Sequence, residues 1–410
     1  MKRILLVGAL LVAGSAALAQ TSITIGGYGG NTDPPIVNEL INKFVKGKVP
    51  GVDVKYLPIG DPYVGNLTNQ LSAGTAPDVF YLPDASAAGL IASGKIMPLN
   101  GLVSDTDFVK SLNTPYTVGG KLYGIAKDFN TLALFYNKDL FDQAKVAYPT
   151  AQDTWDTYAQ KITKVQAALG GKDKGIYGAC FAPEYARFGG FVASTGWKPF
   201  NAENKTNLLD KRFVSAFTWY TDLVKKGVAV RPATISTGWG GECFKTGKVA
   251  TAFEGAWMLG YLNDNAPNLR YGAVALPRNP TTHFSGNLIY TVAWAINADT
   301  KNKDAAVKVF NALTSKEAQQ FILSSGLALP SRKSLQSDPF FKKATPQAQA
   351  NKVIFNNASN AATYILPFTA SKWGDDWFKP INEAITAVMD GQASVTDALK
   401  KAQGTINALK

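Results

Sequence analysis

Trp257 stands where the order of residue types most strongly suggests a binding site. The segment from Phe244 to Leu259 predicts the end of a helix at Gly247, then a short strand, a Glu-Gly turn and a new helix that begins near Trp257. Ligands of open α/β sheets bind at the carboxyl ends of the strands. A large aromatic ring at that place could form a flat platform for a ligand. The alternative is that Trp257 is a core residue at a helix start, because burial is the usual fate of large aromatic side chains.

Catalysis and metal binding have few candidate residues in this chain. His283 is the only histidine, so a Ser-His-Asp triad or a zinc site would have to use it. Asp375 and Asp376 are adjacent, so they do not face each other across a bond as the paired acids of a glycoside hydrolase must. Asp84 and Asp128 could converge in space, which leaves a secreted glycoside hydrolase as an alternative. The sequence favours a protein that is not an enzyme and that uses no cofactor and no metal.

The elements that would position these side chains alternate along the chain. Residues 22–57 predict a β-α-β unit, and a helix, a strand and a helix follow at 62–73, 78–81 and 84–93. Such crossovers build parallel sheets. The glycine-rich stretch 26–30 lacks the context of a dinucleotide-binding loop. The predicted fold class is α/β, with mixed, mainly parallel sheets flanked by helices.

Two apolar runs predict buried strands further along the chain, at 131–136 and 288–296. The second run is apolar on both faces, which is typical of a central strand. Tyr81 and Asp84 follow an earlier predicted strand and open a helix, where Asp84 could also serve only as a cap. The C-terminal third of the chain is predicted to be helical.

Residues 1–19 have the pattern of a secretory signal. Lys2 and Arg3 precede a short apolar run, and a small-x-small site ends at Ala19. The run is too short for a stable membrane span, so we expect a soluble, periplasmic or secreted protein after cleavage following Ala19.

The net charge of the chain is +12, and the basic residues are scattered along the sequence rather than clustered. That distribution favours a solvated basic surface over a nucleic-acid site.

Cys180 and Cys243 are the only cysteines of the chain. Export permits a disulfide between them, and two buried free thiols are the alternative. Apolar residues make up 46% of the chain, enough for large packed cores, so a disulfide would be an accessory link.

Several segments, taken in order, carry a resemblance to a known family. Beyond the first β-α-β unit they are Ala-Gly-Thr-Ala-Pro-Asp-Val at 73–79, a strand and capped helix at 124–141, the segment 244–258 and the block 288–330. This ordered set resembles the extracellular sugar-binding proteins that feed ABC importers, of the maltose and oligosaccharide type. The resemblance covers essentially the whole chain after residue 19.

The resemblance implies a two-lobed fold with three hinge crossings between the lobes. The expected N-terminal lobe is 20–127 plus 288–331, and the expected C-terminal lobe is 128–287 plus 332–410. A monomeric exported protein would capture a sugar or oligosaccharide between the lobes, close by a hinge motion, and deliver the ligand to the permease of an ABC transporter in the inner membrane. The basic charge and Arg332 leave a phosphorylated or other polar solute, of the glycerol phosphodiester type, as an alternative ligand. Nucleic acid is not expected as a partner.

Sugar sites combine aromatic rings, which cover the apolar face of a sugar, with polar side chains that bind its hydroxyls. The candidate platforms are Tyr28, Tyr81, Trp257 and Trp373, with Trp377 as the fallback for Trp373. The candidate polar anchors are Asp84, Asp128, Asn130, Glu184, Arg332 and Asp375. The resemblance implies sugar-contacting acids at Asp84 and Asp128, and an acid beside an aromatic residue at Glu184. Where many relatives carry a glycine pair, this chain has a Ser-Gly-Asn sequence that ends at Asn287, so Asn287 is a further candidate.

Overall fold

A computed structural model of the chain describes residues 21–30, 33–358, 363–364 and 377–409. The signal sequence expected at 1–19 lies outside these residues. The strands are β1 Thr21–Tyr28, β2 Val52–Ile59, β3 Val79–Pro83, β4 Thr117–Val118, β5 Lys121–Leu122, β6 Ile125–Asn130, β7 Ala133–Asn137, β8 Ala179–Cys180, β9 Ala229–Val230, β10 Thr251–Glu254, β11 Tyr271–Val274, β12 Asn287–Leu288, β13 Tyr290–Ile296 and β14 Thr363–Tyr364. The helices are α1 Asp33–Leu40, α2 Tyr63–Ala73, α3 Asp84–Ala92, α4 Lys138–Ala144, α5 Trp155–Ala168, α6 Tyr185–Ser194, α7 Lys211–Lys225, α8 Gly240–Lys245, α9 Trp257–Asn265, α10 Lys303–Leu313, α11 Lys316–Ser325, α12 Pro346–Asn357, α13 Phe378–Met389 and α14 Val395–Ala408. Across the described ranges, no helix combines the length and the apolarity needed to span a bilayer.

The first lobe is built on a sheet whose described strands follow the order β2-β1-β3-β13-β6. β1 pairs in parallel with β2 and β3, which confirms the alternation of strands and helices predicted for the start of the chain. β13 runs antiparallel to β3 and β6, so the sheet is mixed. Because the carboxyl ends of parallel strands meet at one edge of a sheet, Tyr28 at the end of β1 and Asp84 after β3 lie at the same edge.

The second lobe is built on a sheet whose described strands follow the order β11-β7-β10-β8-β9. β7 runs antiparallel to β10 and β11, while β8 runs parallel to β10 and β9. The backbone N–H of Leu140 donates to Asn137 Oδ1 at 3.2 Å, so Asn137 caps α4, which confirms the strand and capped helix predicted within 124–141. β10 ends at Glu254 and α9 begins at Trp257, which confirms the strand-turn-helix order predicted around Trp257.

The chain passes between the lobes near Thr131–Leu132, where β6 of the first sheet ends and β7 of the second begins. It returns through β12 into β13, and it leaves the first lobe again between Arg332, which pairs with Phe108, and α12, which packs on β11. The expected lobe limits at residues 127 and 331 fall within β6 and next to this bridge. The strand pairings favour a first crossing a few residues later and a third crossing after Arg332.

Apolar side chains fill a core in each lobe. One buried cluster includes Ile23, Ile25 and Phe80 of the first sheet, and another includes residues of α5, α6, α7, α13 and α14 around the second sheet. Trp257 packs against both clusters. The first cluster also includes Phe244, Met258 and Leu259 of the second lobe, so the ring that the sequence predicted as a platform lies between two apolar clusters that meet in that lobe.

A disulfide joins Cys180 of β8 to Cys243 of α8, with their Cα atoms 6.3 Å apart. Both cysteines are buried in a small apolar cluster with Val230 and Val249. The expected disulfide is confirmed. It connects two elements that are 63 residues apart in the sequence and that flank β10.

Candidate functional site

A cavity of about 780 Å³ lies between the two lobes. Its first-lobe wall contains Tyr28, Pro83, Asp84 and Ala85, its base contains Leu288, Ile289 and Tyr290 of the second crossing, and its second-lobe wall contains Ala186, Phe378, Lys379, Asn382, Glu383, Thr386, Ala387 and Gln392. A cleft of this size suits a small organic ligand. Of the residues predicted from the sequence, the structure places Tyr28 and Asp84 on its lining.

Tyr28 and Asp84 lie at the rim of the cavity, whereas Tyr81 lies beneath that rim. Asp84 Oδ1 accepts a hydrogen bond from the backbone N–H of Ala85 at 2.9 Å, at the first turn of α3. The ring of Tyr28 makes edge-to-face contacts with Tyr63 and Tyr81, with centroids 4.8 and 5.2 Å apart. Tyr81 is only 1% exposed, and burial raises its pKa well above the ordinary value. Tyr81 therefore supports Tyr28 from below and does not present a face at the surface of the cleft.

Asp128 is also buried, in an ion pair with Lys127 that the sequence analysis missed. Lys127 Nζ donates to Asp128 Oδ2 and lies 4.6 Å from the centre of the Tyr81 ring. Alternation along a strand would send these neighbours to opposite faces. Here the ladder passes from Val292–Asp128 directly to Ala293–Ala126, so Lys127 is the extra residue of a β-bulge, which re-aims side chains. Burial raises the pKa of Asp128, although Lys127 opposes that shift.

Trp257 is held in one orientation by the buried carboxylate of Glu254. Glu254 is 1% exposed, and its Oε2 accepts from Trp257 Nε1 at 2.8 Å and from Arg187 Nη2 and Nε at 2.9 and 3.1 Å. The Arg187 guanidinium also lies 5.2 Å from the centre of the Trp257 ring, a cation–π distance. Burial raises the pKa of Glu254, and Arg187 counteracts that effect. The half-buried ring is thus fixed before any ligand arrives.

Two further contacts involve this cluster, and the one through Tyr290 reaches the cavity. The ring of Tyr290 meets Trp257 edge-to-face at 5.8 Å and also lines the cavity. The side chain of Glu184 is 46% exposed, with a carboxylate oxygen 3.8 Å from Arg187 Nη1. Glu184 is therefore the predicted acid that remains accessible beside the Trp257 cluster.

Asn130 and Asn287 take part in joining the lobes. Asn130 Oδ1 accepts from the backbone N–H of Ala256 at 3.1 Å, which ties the end of β6 to the start of α9. Asn287 is 1% exposed; its Oδ1 accepts from Leu132 N at 2.9 Å and its Nδ2 donates to Leu132 O at 2.7 Å. Asn357 Nδ2 also donates to Leu132 O, at 2.9 Å. These amides hydrogen-bond across the crossings. Both polar atoms of Asn287 are used inside the hinge, and the contact with a ligand predicted for Asn287 stays a prediction.

Arg332 is committed to contacts inside the first lobe. Its Nε donates to Thr314 O at 2.8 Å and its Nη1 to Asp107 Oδ2 at 2.9 Å. Its guanidinium lies 4.4 Å from the centre of the Phe108 ring. Two of its nitrogens and one face of its guanidinium are therefore engaged inside the first lobe, and the contact with a ligand predicted for Arg332 stays a prediction.

The remaining candidates fall into two groups. Trp373 and Asp375 lie outside the described residues. Trp377, the fallback platform, is fully buried and packs at 4.4 Å against the ring of Phe378. Trp377 is a core residue, and the neighbouring Phe378 is the aromatic side chain that reaches the cavity.

The polar face of α13 was missed entirely. Phe378, Lys379, Asn382, Glu383 and Thr386 lie on one face of this helix and line the cavity. From the sequence we predicted only that this part of the chain is helical, and the apolar side of α13 packs into the core. The sequence did carry a signal for this face, because these residues lie three and four positions apart, the spacing of one side of a helix.

No cluster of three or more His, Cys, Asp or Glu side chains is arranged to hold a metal ion within residues 21–30, 33–358, 363–364 and 377–409. What the cavity offers instead is two carboxylates, the ammonium group of Lys379, amides, hydroxyls and aromatic faces. These groups bind polar, uncharged molecules by hydrogen bonds and stacking.

Comparison with known proteins gives a consistent result. The chain is 27% identical over 322 residues to a Brucella abortus (strain 2308) protein named only as a binding protein, with 75% of each chain covered. It is 23% identical to the galactooligosaccharide-binding protein of Bacillus subtilis (strain 168), with 86% of this chain and 82% of that protein covered. Its fold matches the ABC substrate-binding protein from Listeria monocytogenes solved with cycloalternan, with a TM-score of 0.84, 23% identity and coverage of 95% and 98% of the two chains. The family model of the bacterial extracellular solute-binding proteins matches residues 39–350, and because this is well over half of the sequence, the chain belongs to that family.

Proposed function

We propose that this protein is the carbohydrate-binding component of an ABC importer, and that it captures a sugar or oligosaccharide between its lobes and delivers it to a permease. The observation that carries the proposal is Trp257, whose ring is fixed by Glu254 and Arg187 beside the interlobe cavity. A fixed aromatic face with carboxylates nearby is the combination that sugars require. The names of the relatives, which include oligosaccharide-binding proteins, support the same ligand class.

We further propose that the protein binds without catalysis, acts as a monomer and works outside the cytoplasm after cleavage following Ala19. A hydrolase using Asp84 and Asp128 would need both acids at the ligand, but Asp128 is 5% exposed and paired with Lys127. The phosphodiester alternative depended on the basic charge of the chain and on Arg332, and two nitrogens of the Arg332 guanidinium donate inside the first lobe. A carbohydrate is therefore the better-supported ligand.

A thermal-shift screen of mono-, di- and oligosaccharides tests the proposal, because a ligand that binds only the native state raises the melting temperature. We expect at least one sugar to raise it, and glycerophosphodiesters to leave it unchanged. If no sugar has an effect and a phosphodiester does, the carbohydrate proposal is wrong.

Replacing Trp257 with Ala should weaken sugar binding about ten- to hundredfold, because stacking on a fixed ring contributes roughly 1–3 kcal/mol. Calorimetric titration with the sugar identified in the screen measures the loss. Trp239→Ala is the matched control, since Trp239 is also half-buried and packs against Tyr261. Unchanged affinity in a folded Trp257→Ala variant would show that Trp257 is only a core residue.

Sugar binding should bring the lobes closer together. Tyr28 and Asp84 belong to the first lobe, whereas Glu184 and Trp257 belong to the second, so the site is complete only when the lobes meet and the ligand stabilises that state. Small-angle scattering should show a smaller radius of gyration with the sugar than without it. An unchanged radius in a sample where calorimetry confirms binding would argue for a site within one lobe.

A further inference from the structure

A second cavity lies at the end of the first lobe that is opposite to the interlobe cavity. It has a volume of about 690 Å³ and borders Thr21 and Val52, the first residues of β1 and β2. Tyr28, at the other end of β1, lines the interlobe cavity. A parallel strand rises about 3.3 Å per residue, so the 8 residues of β1 put roughly 23 Å between the two cavities. We call this second cavity the basal cavity.

The lining of the basal cavity is strongly basic. Lys48, shortly before β2, meets Lys301 in the turn before α10. Lys303 and Lys308 of α10 complete the set, and Asp304 is the one acid among the described residues of the lining. Because β1 pairs with β2 and α10 packs on β1, the fold brings together lysines that are far apart in the sequence. The charge that is scattered along the chain is therefore concentrated here.

Acids outside the basal cavity neutralise only part of this charge. Lys48 Nζ lies 2.8 Å from a carboxylate oxygen of Glu317. Lys301 acts on Asp299, but that carboxylate already accepts a hydrogen bond from Lys95 Nζ at 2.9 Å, and Lys95 lowers its pKa more than Lys301 does. Neither Glu317 nor Asp299 is part of the lining. The cavity therefore keeps an excess of positive charge.

This excess is largest at Lys303 and Lys308. In the part of the chain that the structure describes, neither ammonium group has a carboxylate oxygen within 4.0 Å, although Asp304 stands one helical turn before Lys308. Neighbouring ammonium groups repel one another, and a concave surface of low dielectric constant concentrates their potential. An anion that enters the basal cavity would relieve this repulsion.

The other groups of the lining narrow the chemistry of the ligand. Thr21 and Asn302 add a hydroxyl and an amide, and none of the described lining residues is aromatic. A sugar ring or a nucleobase would find no stacking surface there. Lysine ammonium groups are compact point charges that bind phosphate oxygens. Because the lysines come from two separate segments, the cavity suits several negative charges at once, and a glycerophosphodiester with its single charge does not satisfy it.

From these observations we infer that the basal cavity is a second binding site, which takes phosphate groups two or more at a time. A soluble polyphosphate offers this chemistry, and so do the adjacent headgroups of an anionic lipid surface. The inference does not depend on the carbohydrate proposal, because the basal and interlobe cavities share no lining residue.

Calorimetric titration of the full chain with sodium tripolyphosphate tests the inference. We expect the variant with Lys303→Gln and Lys308→Gln to bind about tenfold or more weakly than the wild type, because two direct Coulomb attractions are lost. The variant with Lys110→Gln and Lys121→Gln is the matched control, since both lysines are exposed, lie outside the cavity and remove the same charge. It should bind within about twofold of the wild type. Asp304→Asn should bind more tightly than the wild type, because it removes the carboxylate of the lining.

Vesicles distinguish the two sources of the phosphate groups. Cosedimentation with phosphatidylglycerol vesicles is compared with cosedimentation with uncharged phosphatidylcholine vesicles. Binding to the anionic vesicles that tripolyphosphate displaces, and that the Lys303→Gln, Lys308→Gln variant loses, would assign the site to a lipid surface. Binding of tripolyphosphate without binding to the vesicles would assign it to a soluble anion.

Two results would overturn the inference. One is the absence of tripolyphosphate binding by the wild type at low ionic strength, where screening by salt is weak. The other is an equal loss of affinity in the two double variants, which would mean that the anion follows only the overall charge of the protein. Both results leave the carbohydrate proposal intact, and a chain that binds tripolyphosphate but no sugar would contradict that proposal alone.

Discussion

Replacing Arg187 with Met should lower the free energy of unfolding by about 3–5 kcal/mol, because removing one partner of a buried ion pair leaves the other uncompensated. Glu254 is 1% exposed and Arg187 15%, and two guanidinium nitrogens lie 2.9 and 3.1 Å from the same carboxylate oxygen. Trp257 Nε1 would remain as a donor to Glu254, but an uncharged indole does not neutralise a carboxylate. Urea unfolding of the wild type and the variant measures the difference.

The deficit in the free energy of unfolding of Arg187→Met, relative to the wild type, should increase as pH rises. Burial already raises the pKa of Glu254 above its ordinary value of 4.5 with Arg187 beside it, and loss of Arg187 raises it further. The unfolded states share one pKa, so the variant loses stability relative to the wild type only as pH rises from the folded-state pKa of Glu254 in the wild type towards the higher folded-state pKa in the variant. The deficit should be smallest near pH 4 and larger at neutral pH. Equal deficits at both pH values would show that lost packing, and not charge, is the cause.

A matched control and a second variant show whether the uncompensated charge of Glu254 causes the loss of stability. Arg231→Met breaks a pair with Asp390, whose side chain is 27% exposed, and should cost only about 0–1 kcal/mol because exposed pairs are screened by water. Adding Glu254→Gln to Arg187→Met should restore most of the lost stability, since no buried charge remains. Sugar affinity should stay reduced in the double variant, because the guanidinium no longer lies over the Trp257 ring.

Removing the disulfide should have a comparable effect on stability. The chain-entropy model gives about 4 kcal/mol for a loop of 63 residues, so the variant with Cys180→Ser and Cys243→Ser should unfold at a clearly lower urea concentration. Mass spectrometry of the unreduced wild type should first show the loss of two hydrogens. Two thiols that react with an alkylating agent under oxidising conditions would contradict the bond.

The disulfide should also matter for the site. It anchors α8, whose first residue Gly240 lies so close to Glu254 that a Cβ there would be 2.4 Å from Glu254 Oε1. Reduction should therefore loosen the support of the carboxylate that holds Trp257. Measuring sugar affinity with and without reductant, at a temperature where both forms are folded, checks this connection. Equal affinities would show that α8 stays in place without the bond.

The order and type of the elements followed from local features of the sequence. The β-α-β unit at the start, the apolar strand that became β13, and the Asn137 cap of α4 each depend on residues only a few positions apart. Periodicity, caps and turns are set by such neighbours, so they can be predicted without the fold. The strand-turn-helix order around Trp257 could be predicted for the same reason.

The partner of each polar side chain was decided by tertiary structure. Asn287 pairs with Leu132, 155 residues away, and Arg332 pairs with Asp107, 225 residues away. A β-bulge turned Lys127 towards Asp128, against the alternation that the sequence alone predicts. The sequence therefore determined that aromatic and acidic side chains stand at strand ends. Which of them face the cleft, and that α13 joins them, depended on contacts between distant segments, because a polar group once buried must take whichever partner the fold brings within reach.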